Sequence, residues 1–574
     1  MRLTWAQPED LVGHELRQAA EDGRDAGPAL RAWSAAGGHP APERAGASPA
    51  PAPPHLRALA ARLLDELAHL PSPSSADEPT SWDAIVAACP PPPADPPRPR
   101  PGREPADPDP EAEGRTQPAH PGRATADPGP RARSQDPRTL PQGPRPGRGA
   151  AGSDPEAEGE ARPGRATADP GRPVRGQESR ALPQGTRPVA GPAPGCRARA
   201  SSAEGPARVP PRGTCPDPYQ LPGGLWGRLE AAWVGRAVGC LLGKPVEKLP
   251  LDGIRALARA AGNWPLDDWF TARGVPAELL AAYPWNRRSA PTSLAENIDG
   301  MPEDDDLNYP LLNLRLLQRF GKGFTTADVA RLWLDELPAG RTFTAERVAY
   351  RNLLLGLEPP ATATHHNPFR EWIGALIRAD VHGWTNPGDP HAAAAQAYRD
   401  AALTHTGNGV YAALFVAAAT ATAATGRADV HTALRAGLAA VPPRSRLAEA
   451  IRFGIRAATE DADFESVVDR LHARYGHYHW VHAVPNTALI AAALTHADGD
   501  FTRSVCRTVS GGWDTDSNGA TAGALAGLLA GSPERIPHRW TAPLKNRLAT
   551  TVPGFDGIGF DTLAHLTAQE AARS

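Results

Sequence analysis

One stretch decides the fold of this chain: residues 511–531, which read GGWDTDSNGATAGALAGLLAG. Its second half repeats Ala, Gly and Leu at helical spacing, which predicts a helix whose small side chains let a neighbouring backbone approach closely. The same periodicity recurs in LLNLRLLQRF (311–320), ALFVAAATATAA (413–424) and NTALIAAALTHA (486–497). Runs of Val, Ile, Tyr and Thr with alternating polarity, which would indicate strands, are missing here. This pattern therefore predicts that residues 219–574 form an all-α domain of densely packed helices.

The chain before this domain divides into two regions of different composition. Residues 1–90 contain amphipathic pieces such as HLRALAARLLDELAHL (55–70), which predict a small helical segment whose interspersed charged residues face solvent. Residues 91–218 are rich in Pro, Gly and Arg, nearly lack large apolar side chains and repeat themselves, for example GRATADPG at 122 and 164. This composition cannot bury enough apolar surface to offset the entropy of ordering, so we expect a long disordered linker with duplicated repeats.

Charge and cysteine content exclude several classes of protein. Lys and Arg number 61 against 64 Asp and Glu, which excludes a strongly basic nucleic-acid binder and indicates no anionic membrane partner. The five cysteines include no CxxC pair, so neither a zinc site nor a disulfide framework is predicted. The longest nearly apolar stretch, residues 410–424, is shorter than the ~20 residues of a membrane span, and the N-terminus does not resemble a signal peptide. We therefore expect a cytoplasmic protein.

Two acidic clusters stand immediately before predicted helices. The first is MPEDDDLNYP (301–310) and the second is GGWDTDSNGATAG (511–523). A single acidic residue at such a position most often caps the helix, which stabilises it by about 0.3–1 kcal/mol. Repulsion among four consecutive acids costs more free energy than helix capping contributes. A divalent cation such as Mg²⁺, which prefers carboxylate and hydroxyl oxygens, would relieve that repulsion. The clusters lie some 200 residues apart, and the pattern alone does not bring them together.

A resemblance supplies the link between the clusters. The resemblance rests on four motifs. In chain order they are GRAVGCLLGKPVE (235–247), EDDD (303–306), LTHTGNG (403–409) and DTDSNGA (514–520). With these motifs, residues from about 225 to 555 resemble the ADP-ribosylglycohydrolase family. The resemblance implies a compact orthogonal bundle of many α-helices around a two-magnesium site. The chain departs from the family pattern at Cys240, where Asp is frequent, and in EDDD, where acids replace both threonines of a T-D-D-T motif.

The resemblance also implies metal ligands and catalytic groups at particular positions. Two Mg²⁺ ions would lie between the two acidic clusters, orient the ribose hydroxyl groups and lower the pKa of a water molecule. The implied metal ligands are Glu303, Asp304, Asp305, Asp514, Asp516 and Ser517. The implied catalytic groups are Asp304, Asp305 and Glu247, of which Glu247 is the candidate for proton transfer. Glu371 and Asp380 are reserve candidates for acid–base chemistry.

Residues that would contact the substrate are predicted in two loops. They are His405, Gly407, Asn408, Gly409, Gly511, Gly512 and Trp513. The glycines would let backbone N–H groups approach a pyrophosphate, or they only form turns. The histidine and asparagine would contact the ligand, although without the resemblance the histidine is better interpreted as a packed residue. The tryptophan would stack on a ring of the ligand or fill the core, and the segment HYHWVH (477–482) favours aromatic packing over zinc binding.

Three functions are compatible with these motifs. The first is a Mg²⁺-dependent ADP-ribosyl hydrolase that cleaves the glycosidic bond between ADP-ribose and a modified protein, nucleic acid or small molecule through an oxocarbenium-like transition state. The second is a non-catalytic relative that binds ADP-ribose, and the third is a Mg²⁺-dependent nucleotide phosphohydrolase. Retention of the acidic clusters favours catalysis. The identity of the aglycone and the oligomeric state stay open.

Overall fold

The computed structural model describes residues 7–89, with gaps at 41, 43, 44 and 49, and residues 224–573. The predicted disordered linker, residues 91–218, lies outside the described residues. Within the two described ranges the chain forms helices and isolated β-bridges but no strand. The prediction of an all-α fold is confirmed for this part of the chain.

Short and long helices follow one another along both described ranges. The N-terminal segment contains α1 (Pro8–Glu21), α2 (Gly27–Ala35), α3 (Pro54–Ala68) and α4 (Trp82–Ala88). The C-terminal domain contains α5 (Leu225–Gly243), α6 (Leu251–Ala260), α7 (Ala277–Ala282), α8 (Ala290–Ser293), α9 (Asp305–Phe320), α10 (Thr326–Glu336), α11 (Thr344–Leu354), α12 (Ala361–Thr364), α13 (Asp380–Trp384), α14 (Pro390–Ala401), α15 (Gly407–Ala423), α16 (Val430–Ala439), α17 (Arg446–Glu460), α18 (Phe464–Tyr475), α19 (Ala483–Ala497), α20 (Phe501–Ser510), α21 (Thr515–Ala530), α22 (His538–Thr541) and α23 (Phe560–Ala572). Among the described residues, no helix is both long enough and apolar enough to cross a membrane.

The most extensive helix contact in the C-terminal domain joins α5 and α21. Both helices are buried along most of their length. Their glycines face each other so closely that a Cβ built on Gly239 would overlap the carbonyl group of Gly519. The contact continues to the end of α5, where Thr515 Oγ1 donates a hydrogen bond to the carbonyl oxygen of Gly243 at 2.9 Å. The small residues thus permit the close approach that the sequence predicts, and the contact holds the last turn of α5 against the first turn of α21.

We expect Gly239→Ala to lower the free energy of unfolding by about 1–3 kcal/mol, the usual cost of overpacking a core. The new methyl group would meet backbone atoms of α21, which cannot move aside as the end of a flexible side chain can. The higher helix propensity of alanine opposes this loss by no more than about 1 kcal/mol. Chemical denaturation checks the result against Gly340→Ala, where no atom lies within 4 Å of the new methyl group. Equal stability of the two variants would contradict the close contact of the helices.

The N-terminal helices pack on the C-terminal domain within one compact unit. Glu15 in α1 accepts a hydrogen bond from Arg370 Nη1 at 2.8 Å, and Gln18 Nε2 donates one to Glu371 at 3.1 Å. Beyond α3, Glu78 accepts a hydrogen bond from Arg446 Nη2 at 2.8 Å. The N-terminal side chains in these contacts are buried. The small helical segment that the sequence predicts is therefore integrated with the domain.

Candidate functional site

Three helix ends meet at the candidate site. Cys240 lies in the last turn of α5, and Lys244 lies in the turn that follows. The α9 helix begins directly after Asp304, and α21 begins directly after Asp514. The α5–α21 contact fixes the end of α5 against the start of α21. Asp304, at the start of α9, forms an ion pair with Lys244 next to the end of α5. The two acidic clusters therefore lie in a single group.

The carboxylates of the two clusters raise one another's pKa values, as buried like charges do. Burial and the charges of Asp304 and Asp516 raise the pKa of Asp305 well above its ordinary value. Burial and the charges of Glu247 and Asp304 raise the pKa of Asp516 to about 7. Burial and the charge of Asp516 also raise the pKa of Asp514 well above its ordinary value. Residues that are distant in sequence therefore lie within electrostatic reach of one another.

Asp304 joins the first cluster to the turn that follows α5. Its Oδ1 accepts the backbone N–H of Asp306 at 2.9 Å, which caps α9, and its other oxygen forms an ion pair with Lys244. The Cys240 sulfur and carboxylate oxygens of Asp304 and Asp306 all lie within 4.8 Å of one another. Although burial acts in the opposite direction, the Lys244 ammonium holds the pKa of Asp304 below its ordinary value.

The two residues that flank Asp304 and Asp305 have protein partners of their own. Glu303 accepts a hydrogen bond from Thr551 Oγ1 at 3.0 Å and forms an ion pair with Arg341 at 2.8 Å. Asp306 lies 3.6 Å from Arg236, and its Oδ1 has no hydrogen-bond partner among the described residues. Glu303 is thus engaged by the protein, and its role as a metal ligand stays a prediction. Asp306, which the sequence analysis does not include among the ligands, lies inside the group.

Arg236 is a buried cation that sequence reasoning missed. Its guanidinium donates to the backbone oxygen of Asp306 at 2.6 Å and also pairs with the carboxylate of Asp380. Asp380, a reserve acid–base candidate, is fully buried in this pair, and burial raises its pKa to about 6. The one signal that pointed to Arg236 is its position as a lone charge in the apolar run AAWVGRAVGCLL (231–242).

Asn486, at the start of α19, fixes the second cluster. Its Oδ1 accepts the backbone N–H of Asp514 at 3.1 Å and the side-chain N–H of Asn518 at 2.6 Å. Its Nδ2 donates to the carbonyl oxygens of Trp480 and His482, both at 2.8 Å. The predicted ligands of this cluster are nearly buried: Asp514, Asp516 and Ser517. Sequence reasoning missed Asn486 because it lies in an apolar helix far from both motifs.

Glu247 lies at the rim of the group, where its side chain is 17% exposed. Asn286 Nδ2 donates a hydrogen bond to Glu247 Oε2 at 2.7 Å, and Lys248 forms an ion pair with the other oxygen. The Lys248 ammonium lies 5.5 Å from the centre of the Trp480 ring. Glu247 therefore combines a fixed orientation with access to solvent, which a group that transfers a proton to a substrate requires.

The residues predicted from LTHTGNG are buried at the start of α15. Asn408 Nδ2 donates to Glu371 Oε1 at 3.0 Å, and Asn408 Oδ1 accepts a backbone N–H of α17 at 3.0 Å. A Cβ on Gly407 or Gly409 would overlap residues 370 and 371. His405 is fully buried, and burial lowers its pKa well below its ordinary value. The hydrogen bonds and close contacts of these residues are made with other groups of the protein. Their predicted contact with a ligand stays a prediction.

The turn before the second cluster is shaped by Gly511, Gly512 and Trp513. Gly512 and Trp513 have φ angles of 80° and 57°, so the chain turns sharply into Asp514. The Trp513 ring stacks on His472 with 3.9 Å between centroids, and the carbonyl oxygen of Gly511 is 2.8 Å from His472 Nε2. Trp513 is mostly buried, so these contacts support its role in the core. Contact of the turn with a ligand stays a prediction.

The histidine-rich segment 477–482 packs against aromatic residues and Glu371. His479 stacks on Trp372 with 4.2 Å between centroids. His482 Nε2 lies 3.5 Å from Glu371, which also accepts hydrogen bonds from Arg446. Although burial acts in the opposite direction, Arg446 and His482 hold the pKa of Glu371 well below its ordinary value. Glu371, a reserve acid–base candidate, is thus engaged in the interface with the N-terminal helices.

The acidic group fits a hard divalent cation. Burial and neighbouring carboxylates raise the pKa values of Asp305, Asp514 and Asp516, and a bound cation would offset the repulsion. The hydroxyl group of Ser517 belongs to the same turn and offers a neutral oxygen. Carboxylate and hydroxyl oxygens are the ligands that Mg²⁺ prefers in proteins.

A comparison with sequence models of protein families identifies one family. A sequence model described as ADP-ribosylglycohydrolase matches residues 224–571, more than half of the chain, and the resemblance inferred from the four motifs is confirmed. A solved structure described as an ADP-ribosylglycohydrolase-related protein complex is 20% identical, with a TM-score of 0.36, and the match covers 60% of this chain and 97% of that chain. No curated protein matches the chain.

Proposed function

The chain belongs to the ADP-ribosylglycohydrolase family, and on that premise we propose that it is a Mg²⁺-dependent hydrolase of ADP-ribosyl bonds. It would cleave the glycosidic bond between ADP-ribose and a modified protein, nucleic acid or small molecule. The main support for the proposal is that the two acidic clusters lie close together, next to Glu247. Thr515 of the second cluster donates a hydrogen bond to the carbonyl oxygen of Gly243 at 2.9 Å, and the next residue, Lys244, forms an ion pair with Asp304 of the first cluster.

Metal dependence is supported by the chemistry of the acidic group. Asp305, Asp514 and Asp516 would hold Mg²⁺, with the hydroxyl group of Ser517 as a neutral ligand. Magnesium bound there supplies positive charge that orients the ribose hydroxyl groups of the substrate. The resemblance to the family implies two such ions.

The reaction joins water to C1″ of the ribose and breaks the bond from C1″ to the aglycone. The electron pair of that bond goes to the leaving atom, which takes up a proton. Positive charge develops on the ribose in the transition state, and the surrounding carboxylates favour it electrostatically. Glu247 would take the proton from water or give one to the leaving atom, and Asn286 and Lys248 hold its carboxylate in place.

The proposal is tested by product analysis with the full chain. Arginine-linked, serine-linked and DNA-linked ADP-ribose are each incubated with Mg²⁺ or with EDTA, and the products are separated by chromatography. We expect intact ADP-ribose from at least one substrate, and only with Mg²⁺. Release of AMP would instead indicate a phosphohydrolase, and binding of ADP-ribose without turnover would indicate a non-catalytic relative.

Glu247→Gln is expected to lower kcat by about 10²-fold, because the amide cannot transfer the proton. The amide keeps the shape of the side chain, so we expect substrate binding to change little. Steady-state kinetics on the cleaved substrate measure the effect. Glu278→Gln, the same substitution at an exposed residue, is the control and should leave kcat unchanged. Full activity of the Glu247 variant would remove this residue from the mechanism.

A further inference from the structure

A short stretch of chain before α19 contacts both the N-terminal helices and the candidate site. This linking segment (residues 479–482) receives α1 on one side and holds Asn486 on the other. The proposed mechanism uses neither α1 nor the linking segment. Because the same four residues make both sets of contacts, the position of α1 bears on the geometry of the site.

The last residue of α1 holds the backbone of the linking segment. Glu21 Oε1 accepts the backbone N–H of His479 at 2.9 Å, and the Glu21 side chain is only 4% exposed. The other carboxylate oxygen lies 3.9 Å from His482 Nε2, at the far end of the segment. A backbone N–H with little access to water needs an acceptor in the protein. The Glu21 contact therefore favours one position of the linking segment.

The C-terminal domain supports the linking segment with backbone hydrogen bonds. The carbonyl oxygen of Val481 accepts the N–H of Ile373 at 3.0 Å, and the N–H of Ala483 donates to the carbonyl oxygen of Glu371 at 3.0 Å. Gln18 of α1 donates to the side chain of that same Glu371 at 3.1 Å. Contacts from α1 thus reach the linking segment directly and through its neighbour in the domain.

On its other side, the linking segment fixes the orientation of Asn486. The carbonyl oxygens of Trp480 and His482 each accept a hydrogen bond from Asn486 Nδ2 at 2.8 Å. The side-chain oxygen of Asn486 then faces Asp514, whose backbone N–H it accepts at 3.1 Å. A flipped amide would place that oxygen against two carbonyl oxygens. The two carbonyl groups therefore determine that Asn486 presents its acceptor to the turn of the second acidic cluster.

The linking segment also reaches the candidate for proton transfer. The Trp480 ring lies 5.5 Å from the Lys248 ammonium, which forms an ion pair with Glu247. An aromatic face attracts a cation, so the position of this ring affects where the lysine holds the carboxylate. A displaced linking segment would therefore disturb both Asp514 and Glu247, and a displacement of about 1 Å can lower a rate by about 10²-fold.

We propose that α1 positions the candidate site through the linking segment, with Glu21 as a positioning residue for Asp514 and Glu247. The N-terminal helices are then required for full activity of the hydrolase. The effect on catalysis rests on the proposed function. The effect on the turn at Asp514 is measured without substrate and does not depend on it.

Glu21→Asp tests the proposal in the full chain, because it withdraws the carboxylate from the His479 N–H and keeps the charge. We expect kcat for ADP-ribose release to fall about 10-fold with little change in KM. Backbone hydrogen exchange at residues 513–518 should become several-fold faster in the same variant. Glu21→Gln keeps the length of the side chain and an oxygen acceptor, so it should show wild-type kcat and exchange.

Glu15→Asp is the matched control, because it shortens another buried carboxylate of α1. Glu15 pairs with Arg370, which lies outside the linking segment. We expect its kcat and its exchange at residues 513–518 to match those of the wild type. Circular dichroism checks that all three variants are folded.

The wild-type protein offers a second test that needs no substitution. Hydrogen exchange is followed at rising urea concentrations below the unfolding transition, where parts of a structure that depend on one another open together. We expect α1, the linking segment and residues 513–518 to lose protection in one step. Loss of protection at α1 well before residues 513–518 would contradict the proposal.

The variants give results that separate the two proposals. Wild-type exchange at residues 513–518 in Glu21→Asp would overturn the positioning role, as would equal losses in Glu15→Asp or in Glu21→Gln. A rise in kcat would also overturn it and would indicate that α1 obstructs the site. If the wild type releases no ADP-ribose, the hydrolase proposal fails, and the exchange measurements still decide whether α1 positions the turn at Asp514.

Discussion

Asp516→Asn is expected to lower kcat for ADP-ribose release by about 10³-fold, equivalent to about 4 kcal/mol in the activation free energy. Asp516 lies within electrostatic reach of the first cluster and of Glu247, since burial and the charges of Glu247 and Asp304 raise its pKa to about 7. The amide keeps the size of the side chain but carries no charge to hold a cation. We therefore expect the affinity for Mg²⁺ to fall together with kcat, as calorimetry and steady-state kinetics measure.

The same substitution is expected to stabilise the metal-free protein. The ordinary pKa of Asp516 is 3.8 and its native pKa is about 7, so between these pH values the native state binds a proton that the unfolded state releases. Stability therefore falls as pH rises through this window. Asparagine does not titrate, so the substitution removes this dependence of stability on pH. In EDTA, the melting temperature of the variant should exceed that of the wild type at pH 8, and the difference should shrink toward pH 4.

Asp267→Asn is the matched control for this pair of effects. The Asp267 side chain is 76% exposed and lies 3.3 Å from Arg539, so its substitution should change neither kcat nor the melting temperature. A variant of Asp516 with wild-type activity and Mg²⁺ affinity would refute its assignment as a metal ligand. Loss of activity together with loss of stability would indicate a disturbed fold instead of a missing ligand.

The helix contact at the centre of the domain was predictable because its cause is local. Small residues recur at helical spacing in α21, and that spacing alone indicates that another backbone can approach. The acidic clusters were predictable as candidate ligands for the same reason, since carboxylates next to a helix start are visible in the sequence. The approach of the two clusters was not predictable, because Asp305 begins α9 and Asp516 lies in the first turn of α21, and only the fold shows that these helix starts lie near each other. The resemblance to a family supplied that step.

The residues that sequence reasoning missed act on partners far along the chain. Asn486 holds the turn at Asp514, and Arg236 holds the backbone of Asp306. A polar residue inside an apolar helix shows in the sequence that it needs a partner, but the partner itself is fixed by the fold. His405 shows the same limit, because its motif predicts a ligand contact, its side chain is fully buried, and that contact stays a prediction.

Charged residues of the N-terminal segment show the same limit. In α3, Arg62 and Glu66 are exposed and face solvent as the amphipathic pattern predicts. In α1, Glu15 is buried against Arg370, a residue 355 positions away. A local pattern cannot distinguish a charge that faces water from one that faces an opposite charge on a distant segment. The docking of residues 7–89 was therefore not visible in the sequence.

Arg446→Ala is expected to lower the free energy of unfolding by about 3–5 kcal/mol, the cost of removing one partner from a buried ion pair. Arg446 joins three carboxylates from two parts of the chain, at 2.8 Å to Glu78, 2.9 Å to Glu371 and 3.3 Å to Asp22. Without it, the buried carboxylates of Asp22 and Glu371 lose a positive partner, and both burial and their mutual repulsion then raise their pKa values. The loss should therefore be larger at pH 8 than at pH 5 in chemical denaturation.

Arg444→Ala is the matched control, because it removes the same side chain two residues earlier. Arg444 pairs with Asp77 of the N-terminal segment at 2.7 Å but is 76% exposed, so its loss should cost no more than about 1 kcal/mol. Arg446 also holds Glu371, which accepts hydrogen bonds from Asn408 at the start of α15. Hydrogen exchange at residues 407–410 should therefore increase in the Arg446 variant alone. Equal stability of the two variants would mean that apolar contacts, and not buried charge pairs, hold the N-terminal helices on the domain.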